Sequence, residues 1–170
     1  GIGGGCFILI HRADGSLGAI DGREMAPAAA TRDMFIRDGK ADTKLSQSGA
    51  LASAVPGALA AYEFAVEHYG KRKLRDLILP AAEIAEKGFA LDASYARCLE
   101  RAATELGRFE SSRAVFFENG KPLAEGAVLK QPDLAATYRN LAAQKSAWFY
   151  RGPFAQAVEK GDVLAVRDLL

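Results

Sequence analysis

The sequence predicts a helix-rich α+β chain, and three observations predict it. A hairpin signal stands near the start: the apolar run Cys6-Phe7-Ile8-Leu9-Ile10, a turn at Ala13-Asp14-Gly15-Ser16, and a second short apolar run from Leu17 to Ile20. Asp-Gly between two β-prone runs is a hairpin signature. Beyond the hairpin, apolar residues recur at helical spacing in one segment after another. Finally, 49% hydrophobic and 25% charged residues in a 170-residue chain are ordinary for a globular fold with a sizeable core.

Taken in order, Gly1-Ile2-Gly3-Gly4-Gly5 leads into the first strand, and a glycine run lets another backbone or a ligand approach closely. That strand is apolar on both faces, so it is expected to be buried inside something larger. The second strand delivers Asp21-Gly22-Arg23-Glu24 at its exit. Ala28 to Phe35 reads as a short helical turn, and the polar stretch Ile36 to Gln47 as a surface loop. A helix is expected from Pro56 to Tyr69, with Leu59, Tyr62, Ala65, Val66 and Tyr69 on its apolar face and Gly70 as its stop. A second runs from Leu74 to Lys87, with a kink or restart at Pro80. Asp92 caps a third, Ala93 to Leu106, ended by Gly107. Arg108 to Phe117 turns apolar at its end, Glu118-Asn119-Gly120-Lys121 is a turn, and Leu123 to Leu129 is a loop or short extended piece. A fourth helix covers Leu134 to Gln144. The aromatic patch Trp148-Phe149-Tyr150 precedes a fifth, Pro153 to Lys160, and the tail from Asp162 to Leu170 is short and apolar.

A formal net charge of +1 leaves no strong field for nucleic acid or an anionic membrane. No apolar run approaches the ~20 residues of a membrane span. Cys6 and Cys98 are too few for a disulfide framework and read as separate thiols, Cys6 buried in its strand. With no initiator Met and no signal-peptide pattern, the chain reads as cut from a longer one.

Most candidate chemistry dissolves on inspection. The glycine run fails as a Gly-x-Gly-x-x-Gly fingerprint, because Cys6 stands at the last position and a strand, not a helix, follows. His11 and His68 have no partner at ligand spacing, and no metal or cofactor is expected. Glu83 and Glu86 share a helix face, but Glu83 and Lys87 form an i,i+4 pair on a solvated surface. Ser46, Ser48, Ser111 and Ser112 lack an elbow motif or a companion base. The aromatic patch reads as core. Arg23 is different. Asp21 and Glu24 either hold it as a structural ion pair or orient its fork to receive a carboxylate ligand bidentately.

A resemblance bears on that choice. Gly1-Ile2-Gly3-Gly4-Gly5-Cys6-Phe7 resembles the glycine-rich lead into a strand of γ-glutamyltranspeptidases. Ala19-Ile20-Asp21-Gly22-Arg23-Glu24-Met25-Ala26-Pro27-Ala28 resembles the strand carrying that family's substrate arginine. Ala30-Thr31-Arg32-Asp33-Met34-Phe35, Val55-Pro56-Gly57, Ala81 through Phe89, Gln131-Pro132-Asp133-Leu134-Ala135 and Phe149-Tyr150-Arg151-Gly152 continue the likeness in the same order.

The resemblance implies part of an N-terminal nucleophile hydrolase, an αββα sandwich made as one precursor that cleaves itself into a large and a small subunit. It implies a threonine nucleophile on the small subunit, acting on γ-glutamyl amides such as glutathione, with transfer to water or an amino acid. On this view residues 1–170 are one segment of the large subunit with both ends missing. Its partners are a γ-glutamyl small molecule and the small subunit. Its substrate-binding residue is Arg23, gripping the glutamyl α-carboxylate, and no catalytic residue lies in the segment. Thr31, Thr43, Thr104 and Thr137 sit in other contexts than the processing threonine. Family members are commonly exported. Three departures stand out: Gly22 replaces a usual aromatic, which implies a looser strand and a wider pocket; Cys6 replaces a glycine; and the chain is shorter between Lys160 and Asp162. The change at Gly22 keeps open a related acylase of the cephalosporin or glutaryl type. A helical interaction module without catalysis is the reading from a different class.

Overall fold

The computed structural model describes residues 1–160, with no account of the side chains of 50, 157, 159 and 160. The expected apolar tail from Asp162 lies outside the described residues. The described residues form two compact units: Gly1–Arg75 together with residues 143–160, and Asp76–Ala142.

In the first unit, β1 (Cys6–His11) and β2 (Leu17–Gly22) pair antiparallel, from Cys6 opposite Gly22 to His11 opposite Leu17. Gly15 takes φ +84°, and the Asp14 carboxylate accepts the Ser16 N–H at 2.9 Å, so the Asp-Gly turn closes as its residues dictate. Period-two alternation then divides the hairpin. Cys6, Ile8, Ile10, Gly18, Ile20 and Gly22 form one face, half-buried to buried. Helix α2 (Ala58–Tyr69) packs there, with Ala61 against Gly22 and Tyr69 against Gly18. The opposite face is open: Phe7, Leu9 and Leu17 are 67%, 82% and 80% exposed. The expected burial of the strand on both faces is met on one face only by the described residues. Within this unit one helix covers one face, and every second residue points the other way.

Ala28 to Phe35 makes hydrogen-bonded turns rather than a helical piece, with Ala30 N–H donating to Pro27 O and Met34 N–H to Thr31 O. The expected loop from Ile36 holds more order. Strands β3 (Ile36–Arg37) and β4 (Lys40–Ala41) close around Asp38-Gly39, both at positive φ. Asp42 then caps α1 (Thr43–Gln47), its carboxylate accepting from Lys44 and Leu45 N–H. A 3₁₀ turn at 50–52 precedes Val55, which pairs with Met25 across an isolated antiparallel bridge. Helix α2 starts two residues later than expected and ends at Gly70 as expected. Its buried Leu59 joins Phe149, Tyr150 and Ala155 in the core of this unit. Phe149 and Tyr150 of the aromatic patch are core, as expected, and Trp148 is half-buried.

Helix α3 (Leu74–Lys87) has the expected bounds, but it runs past Pro80 without a restart. Losing one hydrogen-bond donor leaves enough of the ladder to hold the helix together.

In the second unit, Gly88 at φ +81° turns the chain into β5 (Phe89–Ala90), which pairs with β8 (Val128–Leu129). Asp92 caps α4 (Ala93–Leu106), accepting the Tyr95 N–H at 2.7 Å. A helix not anticipated, α5 (Glu110–Phe116), follows. Strands β6 (Phe117–Glu118) and β7 (Lys121–Pro122) flank the expected Asn119-Gly120 turn. Leu91, Leu99 and Leu129 form the core here, with Leu106, Val115, Phe116 and Leu123 against them. Helix α6 (Pro132–Arg151) continues beyond the expected stop at Gln144, as two helical pieces joined at Lys145, whose φ +61° and ψ −164° are not helical. Helix α7 (Pro153–Lys160), which belongs to the first unit, is as expected.

Candidate functional site

Arg23 lies one residue past the end of β2, and its surroundings are built mostly from backbone. Its own N–H donates to Asp21 Oδ1 at 3.0 Å, which fixes the direction in which the chain leaves the strand. Its side-chain Nε sits 3.1 Å from Glu24 Oε2, and its Cζ lies 5.8 Å from the Phe7 ring centroid. Among the described residues, Nη1 and Nη2 make no hydrogen bond or ion pair, and the side chain is 59% exposed. The fork is thus pinned at its inner nitrogen and open at its outer edge. One expectation is corrected here: Glu24 orients the guanidinium, whereas Asp21 holds the backbone beneath it.

Glu24 is in turn held by the glycine run. A Cβ on Gly5 would lie 2.5 Å from Glu24 Oε2 and 2.8 Å from Arg23 Cα, so only glycine lets the two segments meet. Oε2 is shut off from water, and its contact with Arg23 is an ion pair rather than an aligned hydrogen bond. Glu24's own backbone, the Arg23 charge and the Gly5 backbone hold the Glu24 carboxyl below its ordinary range, against the opposing effect of partial burial. At neutral pH it is a carboxylate, and the pair is charged on both sides.

Behind Arg23 stands the segment Val55-Pro56-Gly57. Met25 and Val55 exchange both backbone hydrogen bonds, at 3.1 and 2.9 Å. Gly57 is pressed against the strand exit: a Cβ there would fall 2.4 Å from Arg23 O and 2.6 Å from Gly22 O. Tyr150 closes the assembly from 94 residues away in sequence. Its hydroxyl donates to Pro56 O at 2.7 Å and accepts the Ala60 N–H at 3.2 Å. Burial pushes the phenol above its ordinary pKa, so it stays a donor. Sequence reasoning placed Tyr150 in an aromatic patch and in a family-like segment, with no role at the site. Nothing local in the sequence marks a residue whose partners come from so far away.

Two recesses meet at Arg23. An apolar cavity of about 480 Å3 lies among Ile20, Gly22, Ala61, Phe64 and Tyr150. A more polar one of about 470 Å3 is lined by Gly3, Glu24, Ala52, Ser53 and Ala54. His68, Glu83, Glu86 and the two cysteines are not among the residues that line these recesses. Glu83 pairs with Lys87 at 3.2 Å and Glu86 with Arg139 at 2.6 Å, so both are surface ion pairs of the second unit. His68 stacks on Phe64 with ring centroids 3.8 Å apart. Cys6 is half-buried rather than buried, Cys98 is exposed, and both are free thiols.

Comparison with known proteins gives the family. The family model for Gamma-glutamyltranspeptidase matches residues 1–163. The chain is 38% identical to the glutathione hydrolase proenzyme of Escherichia coli (strain K12) over 175 aligned residues, covering 99% of this chain and 30% of that protein's length. It therefore spans less than a third of that relative. The solved structure of Helicobacter pylori gamma-glutamyltranspeptidase matches with a TM-score of 0.90 at 39% identity, covering 94% of this chain and 46% of that one. The cephalosporin acylase of Bacillus halodurans matches with a TM-score of 0.82 at 24% identity, a likeness of fold alone. The α+β fold is accordingly part of the N-terminal nucleophile hydrolase fold these structures share. A family model matched over residues 1–163 and relatives 38% identical over almost the whole chain lead to one assignment: the chain belongs to the γ-glutamyltranspeptidase family.

Proposed function

We propose that residues 1–170 form a segment of the large subunit of a γ-glutamyltransferase or glutathione hydrolase, and that Arg23 grips the α-carboxylate of the γ-glutamyl donor. The threonine nucleophile and its α-amine base come from the small subunit of the same precursor. The observation that carries the reading is the state of the Arg23 fork. Glu24 occupies Nε, and the two Nη groups stand open at the junction of two recesses. A planar guanidinium presenting its outer edge matches a carboxylate through two parallel N–H···O bonds. The Glu24 charge also suits substrate turnover: it fixes the fork without filling the edge that the donor takes.

The test is steady-state kinetics of Arg23→Ala and Arg23→Lys in the full-length protein, with processed subunits checked on a gel. A hydrogen bond to a charged group contributes roughly 1.5–3 kcal/mol, and the variant loses two of them. Catalytic efficiency toward γ-glutamyl donors should fall about 30-fold or more. Lysine keeps the charge without the fork, so Arg23→Lys should also be impaired. Self-cleavage should survive in both, since the arginine meets substrate and not the scissile peptide. A processed Arg23→Ala enzyme with unchanged efficiency rejects the carboxylate role.

A further inference from the structure

Helix α2 begins without a side-chain cap. Its N-cap is Gly57, which has nothing to offer the unpaired N–H groups of the first turn. Those groups find partners from elsewhere. Ala58 N–H donates to Gly4 O at 3.0 Å, and Ala60 N–H donates to the Tyr150 hydroxyl at 3.2 Å. Glycine is required at the cap because Gly57 lies directly on the carbonyls of Gly22 and Arg23. The capping oxygen therefore has to be imported, and Tyr150 imports it. The same hydroxyl donates to Pro56 O, so one atom holds both sides of the Pro56-Gly57 segment.

That segment is tied to the arginine by three contacts. Gly57 touches the Gly22 and Arg23 carbonyls, Val55 exchanges two hydrogen bonds with Met25, and Ala58 reaches Gly4 beside the glycine that seats Glu24. We infer that Tyr150 is a positioning residue for Arg23, acting through its hydroxyl on the Pro56-Gly57 segment that backs the strand exit. Its ring fills core, where Phe149 meets it edge-on at 5.1 Å between centroids. Its oxygen sets where the base of the arginine stands. This inference rests on the proposed role of Arg23 in holding the donor carboxylate.

The experiment uses the full-length, self-processed enzyme with a γ-glutamyl anilide as donor, and the variants Tyr150→Phe, Arg23→Ala and the double variant. Phenylalanine keeps the ring and removes both hydrogen bonds. Losing them lets the fork drift from the carboxylate, so KM should rise about 3- to 10-fold, the worth of one or two ordinary hydrogen bonds, with kcat changed less. In the Arg23→Ala background, Tyr150→Phe should change nothing further, because no fork remains to position. Subunit processing on a gel and the melting midpoint report folding separately. If Arg23→Ala is impaired while Tyr150→Phe matches the parent, this inference falls and the carboxylate role stands. If Tyr150→Phe lowers activity equally with and without Arg23, its effect is general and the inference falls. If Arg23→Ala itself leaves KM and kcat untouched, the carboxylate role fails and the positioning role goes with it.

Discussion

Substituting Gly22 by alanine tests how tightly the hairpin is fitted to α2. Gly22 is buried, and a Cβ there would lie 2.4 Å from Ala61 Cβ, 3.2 Å from Cys6 Sγ and 3.3 Å from Cys6 O. Two carbons in ordinary contact sit about 3.5–4.0 Å apart. The overlap with Ala61 therefore exceeds 1 Å, and neither atom can swing away, since each is bonded directly to a backbone. Strand and helix must separate. Overpacking of this kind costs typically 1–3 kcal/mol. Removing a glycine returns about 0.4–1 kcal/mol through the unfolded chain, so the net loss should be about 1–2 kcal/mol. Urea unfolding of the processed enzyme, followed by circular dichroism, measures it. Ala61→Gly alone should cost about 1 kcal/mol as a glycine inside a helix. Together the two changes should cost less than their sum by about 1–2 kcal/mol, because the second removes the atom the first collides with. Simple additivity in this cycle, or a Gly22→Ala variant as stable as the parent, would refute the reasoning. The same geometry revises the sequence-based expectation at this position: Gly22 does not loosen the strand but lets it lie directly on α2.

Lys145 sits at φ +61°, ψ −164°, a region that glycine occupies freely and other residues adopt only under strain. Lys145→Gly should raise the melting midpoint by a few degrees despite losing the Lys145 contacts with Glu67 and Glu63, because exposed ion pairs contribute little; a lower midpoint in a thermal scan would show those contacts outweigh the strain. The open face of the hairpin makes the chain of residues 1–170 by itself prone to associate, since Phe7, Leu9 and Leu17 form an exposed apolar strip. Sedimentation of that chain should show concentration-dependent association that Leu9→Lys weakens, and a monodisperse parent would show the strip to be inert.

Local chemistry made much of the fold legible. Asp14-Gly15 set the hairpin, Asp92 the start of α4, Gly70 and Gly107 the ends of α2 and α4, and Asn119-Gly120 the turn between β6 and β7. Each of these signals is complete within a few residues, so a single sequence carries it whole. The misses have separate causes. The hairpin β3–β4 is only two residues per strand and has no apolar run to announce it, although Asp38-Gly39 was present. Helix α5 is seven residues long, too short for its period to stand out. Pro80 breaks helices by rule, yet α3 continues, because the rule counts one lost hydrogen bond and not the packing of buried Ala82 and Ala85.

For the site, the sequence by itself determined that an arginine flanked by carboxylates leaves the second strand of a hairpin, and that this ordered set of segments resembles one family. Only the tertiary structure decided the division of labour among these residues. Glu24 rather than Asp21 takes the guanidinium, Gly5 is glycine because of Glu24, Gly57 because of the Arg23 carbonyl, and Tyr150 supplies the cap that Gly57 lacks. The physical reason is one of range. Turns and caps are closed by bonds between neighbours in sequence, whereas steric exclusion and hydrogen bonding across the 94 residues between Pro56 and Tyr150 exist only once the chain has folded.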